Sequence, residues 1–181
     1  MKIQTTKLKD CFIIEPPVFK DNRGLFFESF NKETFYKHTG LNIDFVQDNQ
    51  SESTFGVLRG LHYQTGEMAQ AKLVRAIQGK VLDVVVDLRR DSETFGQHIS
   101  VVLDSIEKRQ LFVPRGFAHG FITLSDRSIF SYKCDNYYDK ASEGGIIYND
   151  ATLSIDWHLP KEDFIISEKD LQLPTFMEAT R

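Results

Sequence analysis

The sequence predicts an all-β protein, folded as a sandwich or barrel with a few short helices. Short apolar runs recur about every ten residues, with turn residues between them, which is typical of these architectures. Phenylalanine is abundant, with 15 Phe against one Trp, and aromatic side chains suit pleated, half-buried strands. Several runs alternate with period two. Within Val81–Leu88, one face carries Leu82, Val84, Val86 and Leu88, while Asp83 and Asp87 share the other.

The turn residues and apolar runs divide the chain into eleven predicted strands and one clear helix. A helix is predicted over Lys32–His38, because Asn31 can cap its first turn and Gly40 can end it. A second short helix is predicted to begin at Ser167, and the less regular stretch from Leu159 onward is expected to wrap the barrel. The predicted strands are Phe12–Glu15, Leu25–Phe30, Asp44–Gln50, Val57–Tyr63, Lys72–Ile77, Val81–Leu88, His98–Leu103, Arg109–Val113, Phe117–Leu124, Ser128–Cys134 and Gly145–Tyr148.

Composition narrows the class of protein. There is no repeat, low-complexity stretch or linker, so residues 1–181 are predicted to form a single domain. The 22 basic and 26 acidic residues give a net charge of −4, which argues against a general nucleic-acid binder. Only Cys11 and Cys134 are present, so no disulfide framework is predicted and a reducing cytoplasm fits best. Neither a signal core nor a membrane span is expected, because no run approaches roughly 18 apolar residues.

Amides, an arginine and a histidine crowd two neighbouring runs that otherwise read as strand, residues 45–53 and 56–64. Gly60 allows a ligand or another backbone to come close. Regular alternation would place Arg59 and His62 on opposite faces of their strand. We therefore expect a twist or bulge near Gly60, or a swapped neighbour, if the two side chains share one site.

A second cluster, Pro114–Phe121, combines a turn with a strand that carries His119. Its Pro-x-Gly-x-x-His order resembles the second signature of the cupin superfamily. Cupins often hold a metal with two His and a Glu from the first signature. Here the first signature would begin at His62, and Gln64 occupies the place of the second His. We therefore predict no metal site and no cofactor, which leaves His62 and His119 for acid–base work or ligand contact.

Several other charged or phenolic residues have both an ordinary and a functional interpretation. Lys72 lies in an apolar strand, where a charge is costly unless it is paired, used, or turned outward. Arg23 is either a solvated turn charge or a ligand contact, and Lys169 with Asp170 fits an ordinary charged helix start. Tyr132 could pack in the core or donate a proton.

These stretches, in this order, strongly resemble the dTDP-4-dehydrorhamnose 3,5-epimerase family of dTDP-L-rhamnose biosynthesis. The resemblance runs from Phe12 to Pro174, and Gly56–Gln64 and Pro114–Phe121 are its most specific parts. Asp83–Arg89 and Ser92–Gly96 also match. The resemblance implies a cupin-type jelly roll and a homodimer in which an N-terminal strand crosses to the partner.

The resemblance also implies a role for each candidate residue. His62 corresponds to the catalytic base, Tyr132 to the general acid on the opposite face, and Lys72 to the group that stabilises the enolate oxygen. Asp170 corresponds to the carboxylate that orients His62, with Asp83 as a rival for that role. Tyr138 corresponds to a residue that stacks on the thymine ring. The matching substrate-binding positions are Arg23, Glu28, Gln47, Asp48, Asn49, Arg59, His119, Tyr138, Glu143 and Lys169.

The implied reaction inverts C3 and C5 of dTDP-4-keto-6-deoxy-D-glucose through enolates and gives dTDP-4-keto-L-rhamnose. No redox cofactor is required, because the substrate already carries its ketone. A mono-epimerase of one carbon and a cupin ketoisomerase on a related sugar remain open from the sequence, as does the order of inversion. A metal-dependent oxygenase and a non-catalytic sugar-binding barrel are the rivals from other classes, and Gln64 argues against the oxygenase.

Overall fold

The computed structural model describes residues 1–181 and confirms the all-β class, with fourteen strands and three short α-helices. The helices α1 to α3 are Lys32–Thr39, Glu168–Leu171 and Phe176–Ala179. The strands β1 to β14 are, in chain order, Lys2–Thr5, Phe12–Glu15, Phe19–Asp21, Gly24–Phe26, Gln47–Thr54, Val57–Gln64, Lys72–Gln78, Lys80–Asp87, His98–Asp104, Gln110–Val113, Phe117–Thr123, Arg127–Cys134, Glu143–Gly145 and Ile165–Ile166.

The strands form two facing sheets, which together make the jelly-roll barrel that the resemblance implies. The first sheet has the order β1-β2-β10-β7-β12-β5, and the second has the order β13-β6-β11-β8-β9. Every pair is antiparallel except β14, which lies parallel to β6. The β3–β4 hairpin pairs only with itself and stands apart from both sheets.

Hydrophobic side chains fill the space between the sheets and cover both outer faces. The interior cluster contains Val74 and Phe130 from the first sheet and Val85 and Phe121 from the second. The C-terminal segment covers the outer face of the second sheet with Trp157 and Phe176, as expected for a tail that wraps the barrel. Helix α1 covers the outer face of the first sheet through Phe35.

Helix α1 begins and ends where its capping residues indicated, and α2 begins after Ser167 as predicted. The Asn31 side chain accepts a hydrogen bond from the Thr34 amide, and Gly40 ends α1 with φ of 74°, a left-handed conformation that glycine adopts readily. Ser167 caps α2 by accepting from the Asp170 amide. These local signals are reliable because a cap satisfies backbone groups that the helix leaves unpaired.

Some predicted strand boundaries were wrong. The strand predicted at Asp44–Gln50 lies at Gln47–Thr54, and the one predicted at Gly145–Tyr148 lies at Glu143–Gly145. The predicted Leu25–Phe30 strand ends at Phe26. Polar residues occupy every position of β5, so hydrophobicity could not mark its ends. Strands β1, β3 and β14 and helix α3 were not predicted, because each has only two to four residues.

Two further expectations concern the cysteines and the membrane. Cys11 and Cys134 are both buried free thiols. None of the helices has the length and apolar character that a bilayer span would require.

Candidate active site

A cavity of about 580 Å³ opens at one end of the barrel, between the two sheets and the C-terminal segment. A smaller cavity of about 310 Å³ adjoins it, and His62, Lys72 and Tyr132 line both. Strand β6 of the second sheet carries His62, whereas β7 and β12 of the first sheet carry Lys72 and Tyr132. The three side chains therefore enter one space from opposite sheets.

His62 forms a dyad with a carboxylate that lies 108 residues away in the sequence. The Nε2 atom of His62 is 2.7 Å from Asp170 Oδ1, and the Gly60 amide donates to Asp170 Oδ2 at 3.2 Å. Burial opposes ionisation of Asp170, but the hydrogen bond and charge of His62, the Gly60 amide and Lys169 together hold its pKa below the ordinary value. An ionised Asp170 accepts from Nε2–H and leaves the lone pair of His62 on Nδ1.

The twist expected near Gly60 is present. The pairing of β11 with β6 shifts register between His119 and Phe121, opposite this part of β6. Both Arg59 and His62 consequently line the same cavity, although regular alternation would separate them. Gly60 has φ of 122°, and a Cβ atom there would lie 2.5 Å from Gly120 Cα. Only glycine fits this close approach of two strands.

Lys72 and Tyr132 present free polar groups to the cavity. The Lys72 Nζ atom lies 5.8 Å from the centroid of the Tyr132 ring, and it makes no hydrogen bond or ion pair within the chain. Burial lowers the pKa of Lys72, against the opposing charges of Cys134, Asp83 and Glu143. Burial, with a contribution from Cys134, raises the pKa of Tyr132, so its phenol stays protonated at neutral pH.

Arg59 is a second cation without a carboxylate partner. Its Nε donates to Ser53 Oγ at 3.2 Å, and an Nη atom donates to the Glu52 carbonyl at 3.3 Å. These bonds from β5 orient the guanidinium group without neutralising it. The charge therefore remains available for an anionic ligand.

A polar network forms the rim of the smaller cavity. Glu143 accepts from Lys169 Nζ at 2.7 Å and from the Tyr138 hydroxyl at 3.1 Å. Burial opposes ionisation of Glu143, but these two donors and the charges of Lys169 and His62 hold its pKa below the ordinary value. Gln47 accepts from the Tyr138 amide and donates to Asn49, which joins β5 to the same rim.

Neither cupin signature assembles a metal site. His119 pairs with Asp83 at 2.8 Å, while His62 pairs with Asp170. Gln64 donates to the Met68 and Tyr137 carbonyls and accepts from the Asp139 amide, so its side chain is a structural crosslink. The structure contains no group of three or more His, Cys, Asp or Glu side chains placed to hold a metal ion. Asp83, the rival partner of His62, belongs to His119 instead.

Three predicted substrate-binding residues lie away from the cavity in the single chain. Arg23 lies in the β3–β4 hairpin, exposed and paired with Asp21. Glu28 follows the hairpin and accepts from Asn31. Asp48 was expected beside Gln47 and Asn49, but strand alternation turns it to the outer face of β5, where it pairs with Lys133 at 2.9 Å.

Two serines that line the cavity were not assigned from the sequence. The hydroxyl of Ser51, on the inner face of β5, is buried and has no hydrogen-bond partner in the chain. Ser167 also lines the cavity, although the sequence indicated only its role as a helix cap. Serines carry weak sequence signals, but the alternation of Gln47, Asn49 and Ser51 could have placed Ser51 on the same face as the two amides.

A histidine–carboxylate dyad, a protonated phenol and an unpaired ammonium around one cavity are the equipment of an enzyme that moves protons at carbon beside a carbonyl. The chain belongs to the dTDP-4-dehydrorhamnose 3,5-epimerase family, whose model matches residues 5–178. The dTDP-4-dehydrorhamnose 3,5-epimerase of Salmonella typhimurium LT2 is 50% identical to it, over 99% of this chain and 97% of that protein.

Solved structures agree with this assignment. The dTDP-4-dehydrorhamnose 3,5-epimerase from Elizabethkingia anophelis NUHP1, known from a crystal structure, is 56% identical in sequence to this chain, with a TM-score of 0.96. The match covers 100% of this chain and 99% of the Elizabethkingia chain. A dTDP-6-deoxy-D-glucose-3,5-epimerase from Legionella pneumophila, solved in complex with dTDP-4-keto-L-rhamnose, is 45% identical with a TM-score of 0.92. That match covers 96% of this chain and 92% of the Legionella chain.

Proposed function

We propose that this protein inverts C3 and C5 of dTDP-4-keto-6-deoxy-D-glucose and so produces dTDP-4-keto-L-rhamnose for dTDP-L-rhamnose biosynthesis. One observation carries the proposal: His62 and Tyr132 enter a single cavity from opposite sheets. Inversion at carbon needs a base on one face of the sugar and an acid on the other. The family assignment supplies the substrate class for this geometry.

The first step removes the proton on C3 or C5, which the C4 ketone acidifies. The lone pair on His62 Nδ1 takes the proton, and Asp170 stabilises the imidazolium that forms. The electron pair of the broken C–H bond moves into the ring and places negative charge on O4. Lys72 is the unpaired cation suited to stabilise that oxyanion, in a cavity where such charges act strongly.

The second step returns a proton to the same carbon from the other face. Tyr132 supplies this proton, since burial keeps its phenol protonated while the enolate carbon is basic enough to accept it. The product regains its C4 ketone with one inverted centre. No redox change occurs, so the reaction consumes no redox cofactor.

The remaining polar residues are suited to the nucleotide. We assign Arg59 and Lys169 to the diphosphate, because both present cationic groups at the cavity. The exposed ring of Tyr138 is held by its hydroxyl bond to Glu143, and its backbone amide donates to Gln47. This is the arrangement expected of a platform for thymine. His119, Glu143, Gln47 and Asn49 complete the proposed contacts.

We also propose that the protein works as a homodimer, in a reducing cytoplasm, with residues 1–181 as one domain. The hairpin β3–β4 supports the dimer. Phe19 and Phe26 are 62% and 69% exposed on it, and it makes no strand pairing with the body. A second copy that covered these rings would bring Arg23 and Glu28 to the partner's cavity, which explains their distance from the cavity of their own chain. The free thiols and the net charge of −4 support the cytoplasmic location and the absence of nucleic acid as a partner.

Solvent exchange tests the reaction directly. The protein is incubated with dTDP-4-keto-6-deoxyglucose in D2O, and NMR follows deuterium at C3 and C5. We expect deuterium at both carbons with the wild type and at neither with His62→Asn. The matched control His38→Asn, an exposed histidine on α1, should behave as the wild type does.

The alternatives predict different results in the same experiment. Exchange at one carbon alone would identify a mono-epimerase, and movement of the ketone to another carbon would identify a ketoisomerase. A folded wild type with no exchange at either carbon would refute the proposal. For the dimer, Phe26→Asp should halve the mass measured by light scattering, and an unchanged mass would contradict the role of the hairpin.

A further inference from the structure

The cavity contains a second histidine–carboxylate pair, formed by His119 on β11 and Asp83 on β8. The two strands are neighbours, and Asp83 lies opposite Phe121, two residues along from His119. His119 Nε2 is 2.8 Å from Asp83 Oδ2, and the exposed fractions of the two side chains are 7% and 0%. His119 lines the cavity, whereas Asp83 lies beneath it in the barrel interior.

Asp83 differs from every other buried carboxylate in the chain. Each of the other three accepts hydrogen bonds on both oxygens. Asp87 accepts from Arg89, Ser92 and Thr94, Asp150 accepts from three backbone amides, and Asp170 accepts from His62 and Gly60. Asp83 Oδ1 is buried with no partner, so His119 is the only hydrogen-bond donor to this side chain.

Such a carboxylate needs a nearby positive charge, because an uncompensated buried anion is strongly unfavourable. His119 is the side chain that contacts Asp83 directly, so a protonated His119 would supply that charge. Phe130 stacks against the His119 ring at 6.2 Å and limits its rotation. Lys72 also feels the charge of Asp83, but it makes no ion pair with it and remains free to face the substrate.

We propose that Asp83 is a positioning residue that holds His119 as an imidazolium, with Nδ1–H directed to an anionic oxygen of the substrate. This inference rests on the proposed epimerase function and adds a buried residue to it. The pair supplies a cation on the second sheet, whereas Lys72 supplies one on the first. The oxygen served is either the O4 enolate or a diphosphate oxygen, and both have the same chemistry.

The test begins with the protonation state of His119 in the wild type, by 15N NMR of the imidazole nitrogens. We expect both nitrogens protonated at neutral pH in the wild type, and only one of them protonated in Asp83→Asn. The titratable or charged groups that face the pair, and whose own titration must be assigned separately, are Arg59, His62, Lys72, Tyr132, Lys169, Asp170 and Cys11. A neutral His119 in the wild type at pH 7 would overturn the proposal even if the variant failed to fold.

Kinetics supply the second readout. We expect Asp83→Asn to lower kcat/KM by roughly 10- to 100-fold, the usual range for a residue that orients another. In a His119→Gln background the same change should cost less than about threefold, because the group on which Asp83 acts is gone. An undiminished loss in that background would show a purely structural role. Asp126→Asn, an exposed aspartate in the turn before β12, is the matched control.

The affinity for dTDP shows which substrate oxygen His119 contacts, the O4 enolate or a diphosphate oxygen. Weaker dTDP binding in Asp83→Asn, with kcat retained, would assign His119 to the diphosphate. Unchanged dTDP binding with a reduced kcat would assign it to the enolate. Wild-type deuterium exchange in D2O is measured alongside, so failure of the epimerase proposal is distinguished from failure of this one.

Discussion

Replacing Asp170 by asparagine should disable the base without changing the shape of the site. Asp170 accepts from two fixed donors, the Gly60 amide on Oδ2 and His62 Nε2–H on Oδ1. Asparagine has one acceptor and one donor in their place. The backbone amide of Gly60 cannot change its polarity, but His62 can move its proton from Nε2 to Nδ1. The amide oxygen will therefore face Gly60, and the amide nitrogen will donate to Nε2.

This rearrangement protonates Nδ1, the nitrogen that acts as the base in the proposed mechanism. The wrong tautomer of a catalytic histidine, created by the same kind of substitution in serine proteases, lowers kcat by about 10⁴. We expect a loss of about 10³- to 10⁴-fold here, equivalent to about 4–5.5 kcal/mol of barrier. Stability at neutral pH should fall as well, because the variant loses an ionised carboxylate whose pKa the fold holds below its ordinary value.

The assay measures the rate of deuterium uptake at C3 and C5, with 15N NMR reporting the tautomer of His62. Asp44→Asn, an exposed aspartate, serves as the matched control. Activity within tenfold of the wild type would refute the reasoning. So would a His62 that kept its proton on Nε2 in the variant while activity fell, because the loss would then have another cause.

Three further outcomes follow from the same contacts. Tyr132→Phe should retain deuterium uptake but lower the rate of inversion by about 10²- to 10⁴-fold, and the control Tyr36→Phe on α1 should have no effect. An equal loss of deuterium uptake and inversion in Tyr132→Phe would contradict its assignment as the acid. Lys72→Met should lower kcat by about 10²- to 10³-fold without weakening dTDP binding, as measured by calorimetry. Burial opposes ionisation of Asp87, but its hydrogen bonds lower its pKa to about 2, so it stabilises the fold above about pH 4 and loses that contribution as pH falls toward 2. Asp87→Asn should therefore remove about 2 kcal/mol at pH 7, measured by urea unfolding, with kcat unchanged and little difference from the wild type at pH 2.

How far the sequence predicted the fold depended on how local the signal was. Helix α1 was predicted at both ends because its end signals are local. The Asn31 side chain accepts from the Thr34 amide, and Gly40 takes the left-handed conformation that ends the helix. Strand β5 was misplaced by three residues, since its inner face is polar where it borders the cavity. In β8 the alternation was correct, but the face with the two aspartates is the buried inner one, where Asp83 pairs with His119 and Asp87 with Arg89. The fully apolar face packs under the C-terminal segment.

The site shows the same division. The polar residues around them were enough to single out His62, His119 and Arg59 as candidates. Strand alternation also required an irregularity near Gly60, and the structure has one. Local sequence could not join Asp170 to His62 across 108 residues, and the family resemblance suggested that pairing before the structure showed the contact. The unpartnered atoms of Asp83 and Ser51 carry no sequence signal at all, since the lack of a hydrogen bond depends on every neighbour in three dimensions.

In the proposed mechanism, a single acid–base pair is sufficient for two inversions because of the geometry of the sugar. C3 and C5 flank the same ketone, and in a glucose-type chair their hydrogens are axial on the same face. One base on the second sheet can therefore reach both hydrogens, and one acid on the first sheet can reprotonate both carbons from the other side. Under the proposed roles, each inversion would leave His62 protonated and Tyr132 deprotonated, so both must return to their starting states before the next inversion. His62 is 31% exposed at the cavity, which lets solvent reset the base, and the ammonium of Lys72 near Tyr132 stabilises the phenolate until it regains a proton. The two hydrogens that the product gains consequently come from water.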